Sequence, residues 1–94
     1  MARDQFEGLL DNGRIDKLGR LFCNEAHQIY LLLSENHGVW ELSCYHHCRA
    51  MYTLGTHSTQ AEAYMAYDAF LEAFKRQRGQ GLRPRQILKD MGVF

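Results

Sequence analysis

The chain has no long apolar run. Its longest strongly apolar stretch is Ile29-Tyr30-Leu31-Leu32-Leu33, five residues against the roughly 20 that a membrane helix needs. The first residues, Met1-Ala2-Arg3-Asp4-Gln5, lack the apolar core of a signal peptide. On these absences no helical membrane span is expected, and the protein is read as cytoplasmic. Net charge is also lacking: 11 basic residues balance 11 acidic ones, so no global field steers the protein toward nucleic acid or anionic lipid. Cysteine is too sparse for a disulfide framework, since Cys23, Cys44 and Cys48 cannot all pair within one chain, and thiols stay reduced in the cytoplasm. No internal repeat or low-complexity segment is present.

What is there fits one small core. The 94 residues are 46% apolar and 23% charged, the balance of a folded domain, and too few for two independent cores. Residues 1–94 are therefore read as a single domain with a short basic extension over 79–94. Phe6, Leu9 and Leu10 at helical spacing suggest a short helix over 4–10 that stops at Asp11-Asn12-Gly13. Ile15, Leu18, Leu21 and Phe22 recur at steps of three and four, and read as a second helical stripe weakened by Gly19.

From His27 the period becomes two. Ile29, Leu31 and Leu33 share one face of a strand, and Tyr30 and Leu32 the other. Glu35-Asn36-His37-Gly38 has turn chemistry, and over 39–45 Trp40, Leu42 and Cys44 alternate with Glu41, Ser43 and Tyr45. After His46-His47-Cys48, Ala50, Tyr52 and Leu54 alternate with Arg49, Met51 and Thr53. The pattern predicts a three-stranded antiparallel meander.

Gly55-Thr56-His57-Ser58 ends the sheet, and Thr59-Gln60-Ala61-Glu62 has the spacing of a capping box. Behind it Ala63, Ala66, Tyr67, Phe70 and Phe74 form the apolar stripe of a helix over 59–78, with Glu62, Asp68 and Glu72 facing water. Basic residues in its last turn and Gly79-Gln80-Gly81 stop it. Pro84, the only proline, suits the first turn of a final short helix anchored by Ile87, Leu88 and Met91. The fold class is α+β, with N-terminal helices, three strands and a long C-terminal helix on one sheet face (α-β-β-β-α).

Candidate chemistry is limited. Cys44, His46, His47 and Cys48 concentrate thiols and imidazoles, and Cys23 with His27 adds a second pair, so a zinc site can be drawn. The alternation of Cys44 with Trp40 and Leu42 instead marks it as a small core residue. No glycine-rich oxyanion turn accompanies a cysteine, and Gly79-Gln80-Gly81 follows a helix rather than opening one, so neither a thiol nucleophile nor a phosphate loop is expected. The reading is of a protein that is no enzyme and holds no cofactor.

Two surfaces remain as partner sites. Six of the 11 bases (Lys75, Arg76, Arg78, Arg83, Arg85 and Lys89) fall within 75–89, where there is no acid, and these can contact phosphates. No aromatic residue lies between Phe74 and Phe94 to stack bases. Tyr30, Leu32, Tyr45 and Met51 lie on the sheet face away from the predicted helix, with Met65 off the main helix stripe. Exposed, they make an apolar patch for a protein partner or a second copy of the chain; the alternative is burial under the N-terminal helices.

The order helix, three strands, helix resembles the double-stranded RNA-binding domain, with residues 55–71 similar to its passage from third strand into second helix. That family grips phosphates with lysines at the start of this helix, and Thr59-Gln60-Ala61-Glu62-Ala63 contains none. Thr56-His57-Ser58-Thr59 followed by Ala61, Ala63, Ala66 and Ala69 also resembles the strand, turn and alanine-rich helix of small phage proteins of the anti-CRISPR type. That resemblance implies a non-enzymatic, phage-encoded inhibitor in the host cytoplasm. Such an inhibitor blocks a protein or nucleic-acid site of a CRISPR-Cas effector complex, and no functional residue follows from its motif.

Overall fold

The structure, a computed structural model, describes residues 15–24, 27–46 and 50–93. The expected helix over 4–10 and the residues His47, Cys48 and Arg49 lie outside them. Four antiparallel strands run in sequence order across one sheet: β1 (Ile15–Cys23), β2 (Gln28–Asn36), β3 (Val39–His46) and β4 (Ala50–His57). Two helices follow, α1 (Gln60–Gly79) and α2 (Pro84–Asp90). The α+β class holds, and the sheet has one strand more than the pattern suggested. Among the described residues, no helix is long and apolar enough to cross a membrane.

The extra strand is the segment read as a helical stripe. β1 pairs with β2 through Lys17 opposite Leu33, Gly19 opposite Leu31 and Phe22 opposite Ile29, with register shifts between Ile15 and Lys17 and between Arg20 and Phe22. Each shift inserts one extra residue and resets the alternation. The less exposed positions include Lys17 and Gly19, while Leu18 is 44% exposed, so the apolar residues of β1 do not mark one strand face and their spacing imitates a helix.

The β2–β3 hairpin follows its turn chemistry. Asn36 pairs with Val39, and the two loop residues His37 and Gly38 have φ of 53° and 81°. Positive φ at both positions is the twist that a two-residue hairpin requires. The Gly38 N–H donates to Glu35 Oε1 at 2.9 Å.

One sheet face carries the core. Ile29, Leu31, Leu33, Leu42 and Cys44 point at α1, where Ala63, Tyr67 and Phe74 are buried against them. The Thr59 hydroxyl accepts the Glu62 N–H at 3.3 Å, as the cap spacing predicts. Lys17 ties β1 to the helix: its ammonium lies 4.3 Å from the Tyr64 ring centre and 3.8 Å from Asp68 Oδ1. Ile87, Leu88 and Val93 join the same core, with Leu82 and Met91 packed against it.

The opposite face is buried in part. Leu32, Ser43 and Tyr45 are at most 1% exposed, while Tyr30 and Met51 are half-buried. The Tyr30 and Tyr45 rings stack with centres 6.4 Å apart. Of the two readings left open for this face, exposure or burial, Leu32 and Tyr45 follow the second.

Candidate basic cleft

The antiparallel order puts the end of β1, the start of β2 and the end of β3 at one end of the sheet. Between β1 and β2 the Asn24 N–H donates to the His27 carbonyl at 2.8 Å, and Asn24 Oδ1 accepts the His27 N–H at 2.7 Å. This double tie fixes His27 just ahead of β2. His46, the last residue of β3, lies opposite Ile29 in register and is 4% exposed. Its Nε2 sits 3.2 Å from His27 Nδ1.

The far end of α1 arrives at the same place. The Arg78 guanidinium lies 5.7 Å from the Phe22 ring centre and donates from Nη1 to the Leu82 carbonyl at 2.8 Å. Gly81, at φ 85°, turns the chain so that Arg83, Pro84 and Arg85 follow at the start of α2. The result is a cleft of about 530 Å³. Phe22, Asn24, His27 and Ile29 form its sheet side, and Arg78, Arg83, Pro84 and Arg85 its helix side. A second cleft of about 360 Å³ is lined by Arg83, Arg85, Gln86 and Lys89, so the two share a pair of arginines. Arg78, Arg83, Arg85 and Lys89 are exposed.

Of the basic residues singled out in the sequence, Arg78, Arg83 and Arg85 converge here, whereas Lys75 and Arg76 are exposed on α1 and line neither cleft. Tyr30, Tyr45 and Met51 belong to the sheet face away from α1, and Met65 stands apart on α1 at 72% exposure. Sequence reasoning missed Phe22, His27 and Asn24 as members of this site. Phe22 supplies the aromatic surface that 75–89 lacks, and only strand pairing reveals that residue 22 lies beside residue 78.

The cysteines are poor nucleophile candidates on the core side. Cys44 is fully buried, and burial pushes its thiol from 9.0 up to about 12. Cys23 is exposed, and both are free thiols. Among the described residues no three His, Cys, Asp or Glu side chains cluster as a metal site would need; of the zinc set drawn from the sequence, Cys44 and His46 are core-facing neighbours, and His47 and Cys48 lie outside the described residues. Among the described residues the cleft is lined by guanidinium and imidazole donors and one aromatic ring, a set suited to oxyanions. Compared with protein-family models, curated proteins and solved structures, the chain has no significant match.

Proposed function

We propose that this chain is a non-enzymatic binding module that holds a nucleic-acid strand by its phosphates along the two adjoining basic clefts. The observation that carries this reading is the convergence of Arg78, Arg83 and Arg85 with His27 and Phe22 in one cleft, continued by Lys89 in the next. Phosphate contacts of this kind supply affinity without base specificity, and an aromatic ring beside them accepts a stacked base of any type. Two clefts sharing Arg83 and Arg85 suit successive phosphates better than a single isolated anion.

Titration of a labelled single-stranded oligonucleotide by fluorescence anisotropy across a salt series tests this. Affinity is expected to fall steeply with salt, and an Arg83→Ala/Arg85→Ala double variant is expected to flatten the logarithmic slope by roughly 0.7 per lost phosphate contact. Binding that is absent at low salt, or unchanged in the double variant, would sink the reading.

A second reading is the protein-directed inhibitor of a defence complex suggested by the resemblance to anti-CRISPR proteins. The side chain that supports it is Met65, 72% exposed on the solvent side of α1. The residues behind that resemblance, Thr56 to Thr59 and the α1 alanines, serve as strand end, cap and packing surface. A Met65→Glu variant separates the readings. Oligonucleotide binding survives it if the clefts carry function, whereas capture of a stoichiometric host protein is lost if the helix face does.

A further inference from the structure

Phe22 and Arg78 face each other across the larger cleft, and each is held in place. The Phe22 ring is half-buried and packs against the core at the end of β1, so it forms a fixed part of the wall. The Arg78 guanidinium stands over that ring at 5.7 Å from its centre, on an exposed side chain in the last turn of α1 that donates to the Leu82 carbonyl. Successive bases stack about 3.4 Å apart, so a flat base between ring and guanidinium needs the two about 6.8 Å apart. The present spacing falls short of that by about 1 Å, which an exposed arginine side chain can yield without movement of the backbone.

Resting on the nucleic-acid reading above, we propose that Phe22 and Arg78 sandwich one unpaired base, so that the cleft takes single strands in preference to duplex. Arg78 then acts on the base, while Arg83 and Arg85, exposed in the same cleft and shared with the next, hold the flanking phosphates. An aromatic face on one side and a delocalised cation on the other both attract the π-face that every base carries. Duplex cannot use this pair. Its bases are covered above and below by their neighbours, and a ring packed into the domain wall does not protrude as the wedges that unstack duplex steps do. Charge alone predicts the opposite preference, because duplex presents the denser array of phosphates.

Fluorescence anisotropy at low salt compares three probes: oligothymidylate, an abasic oligomer with the same number of phosphates, and a duplex of that length. Wild type is expected to bind oligothymidylate about five- to a hundredfold tighter than the abasic oligomer, the effect of one stacked base, and tighter than the duplex. Phe22→Leu keeps an apolar side chain against the core and is expected to erase most of that preference with the salt dependence unchanged. Arg78→Lys keeps the charge without the flat face and is expected to reduce the preference likewise. Equal affinity for the two single strands, tighter binding of the duplex, or an undiminished preference in a folded Phe22→Leu or Arg78→Lys overturns this inference while leaving the nucleic-acid reading intact. Absence of binding to all three probes overturns both. The wild-type comparison needs no variant, so a substituted chain that fails to fold does not remove the test.

Discussion

At Gly19 the strand passes directly under Tyr67, and a methyl group built there would collide with the Tyr67 hydroxyl. Alanine ordinarily suits a strand better than glycine, so the sign of the substitution depends on this contact alone. Gly19→Ala is expected to destabilise by about 1–3 kcal/mol in urea unfolding, the range for overpacking. Adding Tyr67→Phe should recover most of that loss, because the ring carbon behind the hydroxyl lies an ordinary 3.5 Å away. Cys44 illustrates a different constraint. With its thiol raised from 9.0 to about 12 by burial, the folded chain keeps a proton that the unfolded chain releases in between. The stabilisation is complete below pH 9 and is lost as pH rises toward 12. The urea midpoint of wild type should therefore drop across that window more than that of Cys44→Ala, and a thiol reagent at pH 8 should leave Cys44 unmodified in the folded protein.

Among the elements, α1 is the one whose local code and tertiary role agree. Thr59 caps it through the Glu62 N–H, and its buried residues Ala63, Tyr67 and Phe74 recur at steps of four and seven. Thr59→Ala is expected to cost about 1 kcal/mol in thermal or urea unfolding, with Thr59→Asp close to neutral. β2 and β3 were equally legible, because their alternation and the Asn36-His37-Gly38 turn leave one register that buries Leu31, Leu33, Leu42 and Cys44 together, and β4 keeps the period up to the register shift opposite Leu42 and Ser43. β1 was not legible. Its inward positions carry Lys17 and Gly19 and its exposed ones Leu18, so the apolar pattern does not show the strand period, and only pairing with β2 decides its state. The site was half legible for a related reason: the run of cations in 75–89 is a local signal, whereas the presence of Phe22 and His27 beside it is a product of chain folding over more than 50 positions.

For the molecule as a whole, the decisive question is whether the basic C-terminal segment is appended to the fold or part of it. Its charges face outward, since Arg83, Arg85 and Lys89 are exposed, yet Ile87 and Leu88 from the same short helix have no solvent exposure. A seven-residue helix has too few hydrogen bonds to persist alone, so α2 is held by what it buries. Removing 82–94 should therefore uncover the core side of α1 and destabilise the domain by several kcal/mol, as deletion of two fully buried aliphatic side chains already implies. An Arg83→Ala/Arg85→Ala variant keeps those anchors and should unfold within about 0.5 kcal/mol of wild type, as exposed substitutions do. Urea unfolding of both proteins beside the anisotropy titration separates the two roles. If the truncated chain unfolded at the wild-type midpoint, the segment would be an appendage and its arginines could not be positioned by the fold. If instead only the double variant bound weakly while remaining stable, the cleft would be a rigid part of the domain, with α2 supplying charge on one side and core on the other.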